Sequence, residues 1–300
     1  MTANKTVSLV LGSGAARGLA HIGVIDWLEE HGYRIASVAG ASMGALVGGI
    51  YAAGKLDSYR NWVVALDRSD VLRVLDLAFS SEGLIKGDRL IETLKLMVGE
   101  HTIEELPITY TAVATDLARQ REVWLTEGPL FDAIRASIAI PTIFTPHTCK
   151  GMKLLDGGML NPVPIAPTFK DMTDLTIAVN LNASRSKTDT LPARKSRRKD
   201  AEGTEGYRKY IKEFLDHFQD GVTMQHKSEL GLLELLGSSF ETMQAAISSA
   251  KLASYPPDVL INIPRDACKA YEFDRAAELI ELGYQMTGKA MPAPESWLAK

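Results

Sequence analysis

The sequence predicts an α/β fold in which a mainly parallel central sheet is flanked by helices, giving three αβα layers. Three observations carry this expectation. Apolar runs of strand length alternate with helix-spaced apolar patterns through the first 53 residues. Glycine-rich turns stand at the ends of the first two runs. The run 175–181 is largely apolar without alternation, as strands covered on both faces are.

Taken in order, residues 6–11 are β-branched and aliphatic and end at Gly12, which reads as a buried strand entering a tight turn. Leu19, Ile22, Ile25 and Leu28 then recur at helical spacing, with Gly32 in the terminating position. A short apolar run at 37–41, a turn at 40–44 and a helical pattern at 45–53 complete a strand-helix-strand-helix order that favours parallel pairing. Helices are expected over 57–77 and 87–98, strands over 108–115 and 122–125, and a helix over 130–140 stopped by Pro141. Residues 153–155 lead into Asp156, and 175–181 is a further buried strand. From 182 to 206 the chain turns polar, with Arg185, Lys187, Arg194, Lys195, Arg197, Arg198 and Lys199, and reads as a basic flexible loop. Amphipathic helices at 207–224 and 228–252, a strand at 259–263 and a helix at 273–286 follow. The expected organisation is a core at 1–181, the loop at 182–206, and a segment at 207–300 whose last strand and helix close the same domain.

Composition narrows the function classes. With 300 residues, 46% hydrophobic and 23% charged, the chain can bury a large core. A net charge of -4 and a pI near 5.9 give no overall basic field, so nucleic acid is not an expected partner. Cys149 and Cys268 stand in no metal or redox spacing, and no metal or cofactor is expected. The apolar run 7–11 is too short for the core of a secretory signal, which predicts a cytoplasmic protein. The basic loop adds the expectation of peripheral contact with anionic head groups at the inner membrane surface. Residues 35–54 carry no charge, yet most are Gly, Ala or Ser, which suits close packing in a soluble core.

Gly40-Ala41-Ser42-Met43-Gly44 matches G-x-S-x-G between a strand and a helix, the setting in which a serine sits on a sharp turn with its hydroxyl exposed. Gly40 and Gly44 admit close backbone approach, and the helix behind Ser42 aims its N–H groups at developing negative charge. A glycine packing turn with an idle serine is the alternative. The earlier turn, Gly12-Ser13-Gly14-Ala15-Ala16-Arg17-Gly18, also ends a strand and opens a helix. A dinucleotide reading wants an acidic residue after the second strand, where Val38-Ala39-Gly40 offers none, and a P-loop wants Gly-Lys-Ser/Thr. The remaining reading is an oxyanion hole built on Gly12, Gly14 and Ala15, with N–H groups of Gly14 and Ala15 facing the charged oxygen. Arg17 either locks this turn or reaches a substrate phosphate.

A serine nucleophile needs a base. His21, His31, His101 and His147 precede the later motif and carry none of their own, and His217 and His226 fall in or beside the amphipathic helices. Leu154-Leu155-Asp156-Gly157-Gly158 instead puts a carboxylate at the end of an apolar run, on a turn that lets backbone approach. An ordinary Asp-Gly turn is the plainer alternative, and Asp116 is a second carboxylate in a polar turn.

Together these residues resemble the patatin-like phospholipases, through G-S-G-A-A-R-G at 12–18, G-A-S-M-G at 40–44 and D-G-G at 156–158, in that order. Further resemblance lies in Ala136-Ser137-Ile138-Ala139-Ile140-Pro141 with Phe144, in Thr115-Asp116-Leu117 and in Asn161-Pro162-Val163-Pro164. It covers residues 6–181 and is nearest to a bacterial cytoplasmic subgroup. The resemblance implies a Ser42–Asp156 dyad without histidine, an oxyanion hole in the glycine turn, support from Gly18, Gly157 and Gly158, and hydrolysis of acyl esters of lipids in the manner of a phospholipase A, lysophospholipase or carboxylesterase. A regulatory or lipid-binding protein on the same fold is the alternative. Ser13 and Ala15 depart from the family's run of glycines, and small residues there preserve the turn. A free carboxylate with a pKa of about 4 is a poor base, so Asp156 needs desolvation or a strong oxyanion hole. The stripe Leu230, Leu232, Leu233, Leu235, Leu236, Phe240 is read either as acyl-cleft lining or as core or a contact between copies in a homo-oligomer.

Overall fold

The computed structural model describes residues 5–68, 70, 87–141, 143–184 and 229–291, without the side chains of Arg89 and 229–234. The expected helix at 207–224, most of the basic loop and the far end of the expected helix at 57–77 lie outside the described residues.

Strand β1 (Thr6–Leu11) leads through a 3-10 turn at Ala15–Leu19 into α1 (Ala20–Glu30), which ends at His31 before Gly32 with φ 77°. Strand β2 (Arg34–Ala41) runs through Ser42 into α2 (Met43–Ala52), and α3 (Leu56–Ala65) and α4 (Asp88–Val98) follow. Then come β3 (Thr109–Asp116), β4 (Arg121–Leu125), α5 (Leu130–Ser137), β5 (His147–Cys149), β6 (Met152–Asp156) and β7 (Leu175–Ala183). The chain closes with α6 (Glu229–Ser254), β8 (Val259–Pro264) and α7 (Ala276–Ala290).

The sheet is mixed, with a parallel core. Strands β8, β7, β1, β2 and β3 pair in parallel in that order, while β4 and β6 pair antiparallel with β3 and β5 antiparallel with β6. Alternation along β1 divides the core into the two layers that a covered sheet requires. Val7, Leu9 and Leu11 join the main core with residues of α1, α2 and α7. Val10 turns to the other face, against Val163, Ile165 and Ala178, where Leu252 of α6 packs.

One register detail positions the site. Ala112 and Val113 pair with both β2 and β4, and Ala114–Asp116 pair with both β4 and β6. A strand has only two edges, so β2 and β6 share the edge of β3 opposite β4, end to end. Ala41 lies across from Val113 and Asp156 across from Ala114. The turn after β2 and the end of β6 therefore meet.

Four sequence expectations need correction, the first being the helix expected over 57–77, which ends at Ala65 where Leu66 turns extended. The helix expected to run to 140 stops at Ser137, because the residues before Pro141 leave helical geometry and send the Ala139 carbonyl to the N–H of Asp156 at 2.9 Å. The strand expected to end at 181 continues to Ala183, paired with Pro264, so Asn182 belongs to the sheet and not to a loop. The hairpin β5–β6, turned by Lys150 (φ 48°) and Gly151 (φ 74°), was not foreseen. Among the described residues no helix is long and apolar enough to cross a membrane. The uncharged stretch 35–54 is β2, the turn and α2, largely buried within the protein.

Helices α1 and α7 cross where Gly23 meets the Ile280 carbonyl and Gly283 meets the Ala20 carbonyl, and a Cβ at either position would overlap that oxygen. Gly283→Ala is expected to destabilise the fold by about 1–3 kcal/mol through overpacking, read as a lowered midpoint in thermal or urea unfolding. A variant as stable as the wild type would show that the two helices separate at little cost.

Candidate active site

Ser42 occupies the sharp turn between β2 and α2 with φ 56° and ψ -124°, a conformation that costs a side-chain-bearing residue about 1–3 kcal/mol and persists only when its surroundings enforce it. The flanking glycines show how. A Cβ at Gly40 would overlap the backbone of Gly44, and one at Gly44 would overlap the Leu11 carbonyl. The N–H of Ser42 donates to Ser137 Oγ at 2.9 Å, and that hydroxyl donates to the Val113 carbonyl at 2.6 Å. Ser137 thus ties the elbow to β3 from the end of α5. Two residues on, the Ala139 carbonyl holds the N–H of Asp156. One short segment braces both Ser42 and Asp156.

Asp156 ends β6 and is fully buried. Gly158 N–H donates to its Oδ1 at 2.7 Å, and Oδ2 has no partner at hydrogen-bond geometry among the described residues. Burial pushes the carboxyl from its ordinary 3.8 up to about 7, against the opposing pull of the Ser42 hydroxyl and the Gly158 N–H. Proximity to Ser42 is part of that balance. The turn after Asp156 admits no side chain, since a Cβ at Gly157 would overlap the Val113 carbonyl and one at Gly158 would overlap Ser13 and Gln244.

The glycine turn closes the third side. Its first two N–H groups are taken, that of Gly12 by the Val179 carbonyl at 3.1 Å and that of Ser13 by the Pro162 carbonyl at 2.8 Å. Among the described residues nothing accepts from the N–H of Gly14 or Ala15. Ala15 sits at φ 47° and Gly14 packs on Leu181, where a Cβ would come within 2.6 Å of the Leu181 side chain. Gly18 packs on Met43, the residue after the elbow. Arg17 is 2% exposed, donating from Nη1 to the Arg265 carbonyl at 3.2 Å and from Nη2 to Glu241 at 3.0 Å. Both contacts engage Arg17 within the fold, with residues far along the chain.

His21 is buried and donates from Nε2 to the Gly12 carbonyl at 2.8 Å, while burial lowers its pKa to about 4, so it is a neutral brace for the turn. His31, His101 and His147 hydrogen-bond or ion-pair elsewhere, and His217 and His226 lie outside the described residues. Asp116 accepts from the backbone of Ala118 and Arg119 and from the Arg119 guanidinium, which holds its carboxyl below the usual range and makes it a turn residue. Leu235 and Leu236 are exposed, which removes them from the core, and the side chains of Leu230, Leu232 and Leu233 lie outside the described residues. The elbow serine itself departs from the expected exposure. Ser42 is 1% exposed, closed in by the turns that carry its neighbours. Sequence reasoning assigned no role to Ser137, although its motif was noticed, and had no signal for Glu241 or Gln244.

The patatin-like phospholipase family model matches residues 9–169, spanning the glycine turn, the elbow and Asp156. The chain belongs to the patatin-like phospholipase family. It is a serine ester hydrolase of that family by the same finding. An uncharacterized NTE family protein of Mycobacterium tuberculosis is 37% identical over 98% of this chain and 93% of its own length. Lysophospholipase NTE1 of Scheffersomyces stipitis is 31% identical over 62% of this chain, which corresponds to 12% of that much longer protein. The crystal structure of VipD from Legionella pneumophila shares the fold, with a TM-score of 0.50 at 13% identity over 95% of this chain and 66% of that one.

Because the folded carboxyl of Asp156 binds its proton more tightly than the unfolded one, the stability this contributes is fully present below pH 3.8 and is lost as pH rises from there through about 7. Asp156→Asn is therefore expected to unfold at higher urea than wild type at pH 8, with the advantage shrinking toward pH 4. Each tenfold in proton affinity is about 1.4 kcal/mol, so the gap is on the order of a few kcal/mol. Equal stability at pH 8 would mean that the buried carboxylate is compensated.

Proposed function

We propose that this protein hydrolyses acyl esters of lipids, lysophospholipids foremost, through a Ser42–Asp156 dyad and an acyl-enzyme intermediate. The observation that carries the proposal is the strained Ser42 beside a buried carboxyl held near neutrality. Near pH 7 such a group both takes and returns a proton, which general acid–base catalysis needs and an ordinary aspartate cannot supply. The lysophospholipid preference rests on the relatives named as lysophospholipases.

In this mechanism Asp156 accepts the Ser42 proton as Oγ attacks the acyl carbonyl. The oxyanion that forms is stabilised by the N–H groups of Gly14 and Ala15, with Gly12 shaping the turn and donating elsewhere. The C–O bond to the alcohol then breaks and Asp156 returns the proton to the departing oxygen. Water, deprotonated by Asp156, attacks the acyl-Ser42 ester, and Ser42 leaves with that proton. Gly40, Gly44, Gly157 and Gly158 allow the approach of the elements that carry these groups.

Wild type and Ser42→Ala are to be compared on a chain-length series of chromogenic acyl esters and on a lysophospholipid. Hydrolysis is expected to fall at least about 10³-fold in the variant, with a fluorophosphonate adding its mass to Ser42 in wild type alone. Equal rates, or none in either protein, would favour the lipid-binding alternative. The wild-type kcat/KM should also rise with pH through about 7 and level off above it, because only ionised Asp156 accepts the serine proton. A profile flat from pH 5 to 9 would remove Asp156 from the role of base.

A further inference from the structure

Beyond residue 169, where the family match ends, helix α6 contributes a polar stripe to the glycine turn. Glu241, Gln244 and Ser248 stand at spacings of three and four, on one helical face. Glu241 accepts from Arg17. Gln244 donates from Nε2 to Ser13 Oγ at 3.0 Å, with both residues buried. Ser248 lies 3.5 Å from Asn182 Nδ2, which donates to the Ser13 carbonyl at 3.1 Å. With its N–H given to Pro162, Ser13 has its amide, carbonyl and hydroxyl all engaged.

Ser13 immediately precedes the two N–H groups that remain open, and its side chain lies against Gly158, the residue whose N–H holds Asp156. The same Cβ position at Gly158 would overlap Gln244 Nε2 as well as Ser13 Oγ. Gln244 therefore stands where the turn on the oxyanion side meets the turn on the base side. Ala15, at φ 47°, needs enforcement from its surroundings, and a turn whose donors must be aimed before reaction gains from a fixed neighbour.

We propose that Gln244 is a positioning residue for ester hydrolysis, acting through Ser13 to set the direction of the Gly14 and Ala15 N–H groups. The proposal rests on the hydrolase reading above. It assigns to Ser13 a partner from a helix outside the matched region. Such a residue affects the transition state more than the ground state, so its loss lowers kcat and leaves KM in place.

The test compares Gln244→Met, Ser13→Ala and the double variant with wild type. Met keeps the length and bulk of Gln244 without its donor, and Ala removes only the Ser13 hydroxyl. The readouts are kcat and KM on the preferred acyl ester, the rate of Ser42 labelling by a fluorophosphonate, and the thermal unfolding midpoint. Each single variant is expected to lose about tenfold in kcat and in labelling rate with KM unchanged, and the double is expected to be no worse than the weaker single, because both remove one bond. Gln244→Met with wild-type kcat, or losses that multiply in the double, would overturn the proposal. If Gln244→Met does not fold, Ser13→Ala decides from the other side of the bond: a tenfold loss supports the proposal and an unchanged kcat overturns it. A wild type that neither hydrolyses esters nor takes the label overturns the hydrolase reading and this one together, whereas an active wild type with unaffected variants overturns this one alone.

Discussion

Strand β3 carries two neighbours along a single edge, β2 as far as Val113 and β6 from Ala114 onward, and the site exists because those two strands end facing one another. A parallel strand must stop where its chain turns into a helix, and the antiparallel strand can begin only past that point. The elbow after β2 and the last residue of β6 are therefore brought to the same place by backbone hydrogen bonding alone. Segment 137–139 reinforces the junction from the α5 side, accepting the N–H of Ser42 at Ser137 and the N–H of Asp156 at Ala139. Side-chain chemistry comes second to this backbone arrangement.

The same junction concentrates features that work against stability. Ser42 and Ala15 both hold positive φ, Asp156 is buried with Oδ2 lacking a hydrogen-bond partner at full geometry among the described residues, and four glycines of the two turns and the elbow lie where a Cβ would collide with backbone. Each of these departs from what local preference would choose, and such departures gather at functional sites because the rest of the fold holds them in place. The desolvation that makes Asp156 costly as a carboxylate is also what lifts it into the range where it can exchange a proton near pH 7. The cost of burying the carboxylate and its raised proton affinity have one cause here.

The glycine turn is held from several distant parts of the chain. His21 fixes the Gly12 carbonyl, Val179 and Pro162 take the first two amides, and α6 reaches back with Glu241 and Gln244. This layering leaves two adjacent N–H groups without acceptors among the described residues, the outcome an anion-stabilising turn requires.

Sequence by itself determined most of the elements and named the candidate groups, because both are written in local chemistry. Continuous apolar runs marked β1 and β7, and a helical apolar spacing marked α1. The glycines around Ser42, Ser13 and Asp156 marked turns whose backbone excludes Cβ atoms. Local pattern failed where an element was too short to show a period, as in the three-residue β5, or where its end was set by a distant partner, as Ser137 and Ala183 were. What only the tertiary structure decided was the state of the groups: that Asp156 is dry, that Gly12 is already bonded, that Arg17 is buried against Arg265 and Glu241 and that Asp116 belongs to a turn. Several of those states follow from contacts between residues far apart in sequence, 224 positions for Arg17 and Glu241. Desolvation and hydrogen-bond occupancy depend on what surrounds a group in space, and neither leaves a periodic trace along the chain.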